Sequence, residues 1–324
     1  MTILVSIHSS FRMWTIPDEY VEALRRLCPG DVVRHARSDA EAREMIHDVE
    51  IAFSGHVTPE QLAAAERLRW VHSPAAGVGN MLYPAMVQRA ITMTNGRGTS
   101  AENIAEHVLA LVLALFRRLP EAFARQREQV WAQDELSGPR TIAGSRFLIV
   151  GLGAIGAATA GRLHGLGATV IGVRRNLEAP PVPGVASIHP PEALPDLLGD
   201  SDAVIISAPH TQATHSLIGA AETARMKPGS ILVNVSRGSL VDEEALARAL
   251  RSGHLGGAAL DVLRDEPLAA GHPMWDVPNL LITPHIAGFR RDHWEAAIAL
   301  FAENRRRFEH GEPLLNVVDK SAGY

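Results

Sequence analysis

Short β-branched apolar runs alternate with stretches of helical spacing at the start of the chain, the pattern of a parallel sheet with crossover helices. The expected strands are Ile3 to Ile7, Val32 to His35, Ile51 to Ser54, Trp70 to Ser73 and Ile91 to Thr94. Between them, Pro17 to Leu27 and Pro59 to Arg67 read as helices, the first with Pro17 in its opening turn and the second with Thr58 as N-cap. A polar, glycine-containing break at Asn95 to Thr99 precedes an apolar helix from about Ser100 to Leu119. A second alternation runs from Arg146 to about Pro284, with strands at Phe147 to Val150, Thr169 to Val173, Ala203 to Ser207, Ile231 to Val235, Gly257 to Asp261 and Leu280 to Thr283. Six strands separated by helices predict a doubly wound sheet. The tail from Arg290 is helical and too short to form its own domain, so it must pack on an existing one, the N-terminal unit being the candidate. The expected class is therefore α/β: a Rossmann-type doubly wound parallel sheet, residues 99–289, inserted into a smaller flavodoxin-like domain of residues 1–98 plus 290–324.

Composition narrows the partners. The 324 residues carry 31 Lys+Arg against 36 Asp+Glu, a formal net charge of −5, so no global field draws the protein to nucleic acid or anionic lipid. The most apolar segment, Val108 to Phe116, has about half the length of a bilayer span and reads as a buried helix. Met1 to Ser10 lacks the pattern of a signal peptide, and the one cysteine, Cys28, excludes an intrachain disulfide. A cytoplasmic location is the expectation. Among the 15 histidines, His8, His56, His72, His107, His210 and His215 show no zinc-site spacing, and no metal is expected. Arg12, Trp14, Ser54 and His56 fall near strand ends of the small domain, where they line a substrate mouth or serve packing and surface.

The clearest chemistry lies at Gly151-Leu-Gly153-Ala-Ile-Gly156, which follows an apolar strand and opens a helical pattern. The first glycine permits a tight turn, the second lets a diphosphate approach the backbone, and the third allows close helix–strand packing. N–H groups at the helix start then face the diphosphate. An NAD site usually carries an acidic residue about 20 residues further on, binding the ribose hydroxyls. Here the next strand ends in Arg174-Arg175-Asn176. Paired guanidiniums suit a 2′-phosphate, so NADP(H) is expected as the preferred cofactor with NAD(H) possible; the bland alternative is a solvated loop edge.

Three further motifs begin at or shortly after strand ends: Asn234-Val-Ser-Arg237-Gly, Asp265-Glu266-Pro and Thr283-Pro-His285-Ile-Ala-Gly. Ligands of open α/β sheets bind beyond the carboxyl ends of strands, so these segments can converge on the glycine turn. A guanidinium clamps a carboxylate and polarises a carbonyl, while an imidazole backed by a carboxylate passes a proton near neutral pH.

With Ile104-Ala-Glu-His107 and Gly257-Ala-Ala-Leu-Asp261-Val, these motifs resemble those of the D-isomer-specific 2-hydroxyacid dehydrogenase family, its glyoxylate and hydroxypyruvate reductases above all. The resemblance implies that Arg237 binds the substrate's carboxylate and keto oxygen, Glu266 pairs with His285, and His285 is the general acid/base. It also implies Ala154 and Ile155 at the diphosphate, Ala208, Pro209 and Thr214 along the cofactor loop, Asp261 at the nicotinamide amide, and Val235, Ser236 and His285 among the cofactor-binding residues. The loop containing Ala76 and Gly77 would offer N–H groups to the substrate carboxylate, and a homodimer is implied. Arg174-Arg175 departs from the acidic tip of NAD-using members. Arg290-Arg291, after His285, either adds charge near the cleft or caps the next helix. A different function on the same fold is a non-catalytic scaffold that senses the dinucleotide.

Overall fold

The structure, a computed structural model, describes residues 1–323 and separates into two compact units, Met1–Thr99 with the chain from Arg290 onward, and Ser100–Phe289. The first holds a five-stranded parallel sheet of β1 (Thr2–Ser6), β2 (Val32–His35), β3 (Ile51–Ser54), β4 (Trp70–His72) and β5 (Thr92–Thr94). Its order, β2-β1-β3-β4-β5, is the flavodoxin-like one. Alternation along the strands sends Leu4, Ala52, Val71 and Met93 to one buried face. Ile3, Val5, Ile51, Phe53 and Trp70 go to the other. That second face explains the fate of the tail: helix His293–His310 stacks Phe301 on Phe53 and Trp70, with ring centroids 4.6 and 5.1 Å apart. Thr58 caps helix Pro59–Ala64 through a reciprocal capping box with Gln61. Pro17, expected inside the first helix, stands instead just before it, since the helix begins at Asp18.

The second unit contains β6 (Arg146–Val150), β7 (Thr169–Val173), β8 (Ser187–His189), β9 (Ala203–Ile206), β10 (Ile231–Asn234), β11 (Gly257–Leu260) and β12 (Leu280–Ile282). All pairings are parallel, in the order β12-β11-β10-β9-β6-β7-β8. The chain reverses direction across the sheet beside β6, the switch point where doubly wound folds bind dinucleotides. The sheet has seven strands rather than six. β8 escaped detection because it is a three-residue, half-buried strand behind a proline-rich loop, with no apolar run to mark it.

Both faces are covered, as a parallel sheet requires. Helix Ala101–Phe116 buries Val108, Leu111, Val112 and Phe116 against Phe147, Ile149, Ile231 and Val233. It ends three residues earlier than expected, because Arg118 turns into the left-handed region at φ 56° and a new helix, Leu119–Arg127, starts there. Among the described residues no helix is long and apolar enough to cross a membrane.

Candidate active site

The glycine turn is built by steric necessity. Gly151 sits at φ +98°, and a Cβ there would lie 2.5 Å from the Ala208 nitrogen. A Cβ on Gly156 would lie 2.0 Å from the Gly151 carbonyl oxygen, which also accepts a hydrogen bond from Ser207 Oγ at 2.7 Å. Gly153 is the opposite case: nothing lies within 4 Å of where its Cβ would stand. Gly153 is the N-cap of helix Ala154–Gly165, so the open space faces the free N–H groups of Ala154 and Ile155 at the positive end of the helix dipole. A diphosphate fits this donor set, and any side chain at Gly153 would enter its space.

The ribose end is less simple than the sequence suggests. Arg174 donates to the carbonyls of Ala179 and Pro180, so its guanidinium braces the loop that follows β7. Arg175 is exposed on the same tip. In the loop after β9, Ala208 is buried, Pro209 is exposed, and Thr214 Oγ1 donates to the Pro209 carbonyl at 2.7 Å. Thr214 therefore shapes this loop from within.

Arg237, Glu266 and His285 stand beyond the carboxyl ends of β10, β11 and β12, the edge that also carries the glycine turn. Asn234, fully buried at the end of β10, accepts from Ser236 N and donates to the Arg237 carbonyl at 2.9 Å. This clamp sets the turn that presents Val235, Ser236 and Arg237. The turn must lie against the chain after β11: a Cβ on Gly238 would overlap the Leu263 carbonyl carbon at 1.9 Å. That approach brings Arg237 within electrostatic reach of Glu266. Crowding strips part of the Arg237 guanidinium's hydration and lowers its pKa, against which the Glu266 charge acts, yet its side chain still reaches solvent.

His285 Nδ1 and Glu266 Oε2 lie 2.7 Å apart, and Glu266 Oε1 accepts from Leu263 N at 2.9 Å. Burial pushes the Glu266 carboxyl upward, but the hydrogen bonds from His285 and Leu263 and the charges of His285 and Arg237 outweigh it, so its pKa falls below the ordinary value. An ionised carboxylate only accepts, so Nδ1 carries the hydrogen and Nε2 is turned outward.

Asp261 plays a part that the motifs did not disclose. It is 2% exposed at the end of β11 and accepts from Thr283 Oγ1 at 2.5 Å and from the N–H groups of Ile286 and Ala287 at 3.0 Å each. Thr283 in turn accepts from His107 Nε2 at 3.1 Å. His285 lies between these anchors with φ +54°, a conformation a side chain adopts only when its surroundings impose it. Thr283, His107 and Asn234 thus support the site without having been singled out as site residues. The clue to Thr283 and Asn234 was their place at the strand ends carrying Arg237 and His285.

Ala76 and Gly77 belong to the first unit, on an exposed loop after β4 held by Asn95 Nδ2 on the Ala76 carbonyl at 2.7 Å. In that unit Trp14 packs edge-on against His293, and Arg290 bonds Asp292, the residue preceding helix His293–His310, and the Thr99 carbonyl. Arg290 therefore serves the helix start. His8 and His56, without metal-site spacing in the sequence, come together with Asp39.

A doubly wound parallel sheet thus carries a glycine turn and a carboxylate-backed imidazole on one edge. The D-isomer specific 2-hydroxyacid dehydrogenase NAD binding domain matches residues 109–287. A glyoxylate reductase of Korarchaeum cryptofilum is 34% identical over 82% of this chain and 80% of its own. A D-3-phosphoglycerate dehydrogenase of Mycobacterium leprae is 35% identical over 82% of this chain, which spans 50% of that longer protein. The crystal structure of a D-isomer specific 2-hydroxyacid dehydrogenase from Xanthobacter autotrophicus Py2, in complex with NADPH and MES, superposes with a TM-score of 0.86 at 33% identity, covering 100% of this chain and 99% of that one. The chain belongs to the D-isomer specific 2-hydroxyacid dehydrogenase family.

Proposed function

We propose that the protein is an NADP(H)-preferring reductase of small 2-oxo acids of the glyoxylate or hydroxypyruvate type. The observation that carries this reading is the His285–Glu266 pair with Arg237 beside it, on the sheet edge that also bears the glycine turn. Gly151 to Gly156 and the N–H groups of Ala154 and Ile155 would hold the cofactor diphosphate, with Ala208, Pro209 and Thr214 along its loop and Val235, Ser236 and Asp261 toward its nicotinamide end. The bound cofactor supplies a hydride to the carbonyl carbon. Arg237 holds the substrate carboxylate through paired donors and polarises the keto oxygen. His285 Nε2 delivers the proton to that oxygen, and Glu266 holds the ring in place while stabilising its charge.

The preference for NADP(H) rests on Arg175, on the absence of an acid at the β7 tip, and on the NADPH carried by the Xanthobacter relative. A homodimer is part of the same reading. Phe123 and Val130 are exposed, and Trp131 is 91% exposed, apolar side chains that a second copy would cover. A single-chain mass in sedimentation equilibrium would remove that part of the proposal.

A panel of glyoxylate, hydroxypyruvate, pyruvate and an aromatic 2-oxo acid, each tried with NADPH and NADH, tests the reading. The small acids with NADPH should give the highest kcat/KM. A ratio of NADPH to NADH well below one would overturn the cofactor preference, and tight NADPH binding without oxidation by any acid would favour the sensing scaffold.

A further inference from the structure

We propose a divalent-cation site in the first unit, formed by His8, Asp39 and His56, for a first-row transition metal of which zinc is the best match. The site arises from sheet register. β1 and β3 pair in parallel with Ser6 opposite Ser54, and the two histidines lie at the same offset beyond those residues. β2 is the other neighbour of β1, and its crossover opens helix Asp39–Met45, with Asp39 as first residue and Ser38 as N-cap. The three side chains thus come from the carboxyl ends of three adjacent parallel strands, where open α/β sheets gather ligands.

Their donor atoms all lie within 4.8 Å of one another. His56 Nε2 is 2.8 Å from Asp39 Oδ1, and His8 Nε2 is 3.7 Å from the same oxygen. Ligands on a tetrahedral zinc with bonds of about 2.0–2.1 Å stand roughly 3.3 Å apart, so small side-chain movements satisfy the geometry. His8 Nε2 is the telling atom: it is shielded from solvent and has no hydrogen-bond partner. A buried imidazole nitrogen without a partner is unfavourable, and a metal bond would satisfy it.

The surroundings hold the donors as a metal site needs. Gln61 is 2% exposed, and its Oε1 accepts from Thr58 N, which turns its Nε2 to donate to Asp39 Oδ1 at 3.0 Å. Ser54 Oγ bonds the Ser6 carbonyl and the His56 backbone, fixing the approach of His56. Two imidazoles and one carboxylate favour zinc or a similar borderline metal over magnesium or calcium, which take mainly oxygen. Asp39 is 55% exposed on its side chain, leaving a fourth position for water or a small ligand.

The test is calorimetric titration of ZnCl₂ into the full-length, untagged, chelator-treated protein, paired with the visible absorption of the Co²⁺ form. The expected result is one equivalent bound, a rise in Tm on binding, and a cobalt spectrum of low-coordinate type. His8→Ala and His56→Gln should each weaken binding by about 100-fold or more while retaining the metal-free Tm within a few degrees. His210→Ala should leave binding unchanged. Absence of a stoichiometric equivalent, or binding indifferent to both His8 and His56, would overturn the site and assign any uptake to adventitious surface histidines. Binding is read directly, so the outcome is independent of whether any 2-oxo acid is reduced.

Discussion

His285→Ala is expected to lower kcat for 2-oxo acid reduction by roughly 10²–10⁴-fold, the usual loss when a positioned general acid is removed. The cause is local: the developing alkoxide loses its proton donor at Nε2, while the glycine turn that holds the diphosphate is untouched. NADPH affinity, read by fluorescence titration, should therefore change little. Glu266→Gln should be milder, because the amide still holds the ring but no longer stabilises its cation. The Glu266 carboxyl titrates below its ordinary range, so its pairing with His285 is intact above that range and is lost only as pH falls through the lowered value. A His285→Ala enzyme with wild-type kcat, chemistry being rate-limiting, would remove the residue from the reaction.

Arg237→Ala is the second large effect. It deletes the carboxylate clamp and the polarising charge together, so KM should rise and kcat fall, with kcat/KM down by roughly 10³-fold or more. Arg237→Lys should recover only part of the loss, since an ammonium cannot reproduce the paired donors. The two variants separate charge from geometry: equal activity for Lys and Arg would reduce the residue to a general positive field. Unchanged KM in Arg237→Ala would contradict its role as the carboxylate clamp.

The parts of this site that could be read along the chain are those enforced by short-range sterics. Gly151, Gly153 and Gly156 announce a turn because no other residue fits the contacts at the first and third, and the sheet positions of β6 and β7 follow from their apolar runs. The link between Glu266 and His285 was not legible as a distance; it came from resemblance, and the 2.7 Å contact supplies it. The Asp261–Thr283–His107 network was hidden for a different reason. His107 and Thr283 are 176 positions apart, and only helix and strand packing brings them together. The bonds from Arg174 to the Ala179 and Pro180 carbonyls were not legible either, since the sequence shows the charge but not the fold of the loop that follows. The approach of His8, Asp39 and His56 is likewise not legible as spacing along the chain, since they follow three different strands and meet only through the sheet order.

The central claim is that one imidazole exchanges a proton with substrate in both directions of the reaction. The most direct measurement is the pH dependence of kcat/KM for glyoxylate reduction with NADPH and for oxidation of the matching 2-hydroxy acid with NADP⁺, under conditions where chemistry limits the rate. Reduction takes up a proton and should weaken with rising pH, and oxidation, which gives one up, should weaken in mirror image with falling pH. Flat profiles in both directions would contradict the account.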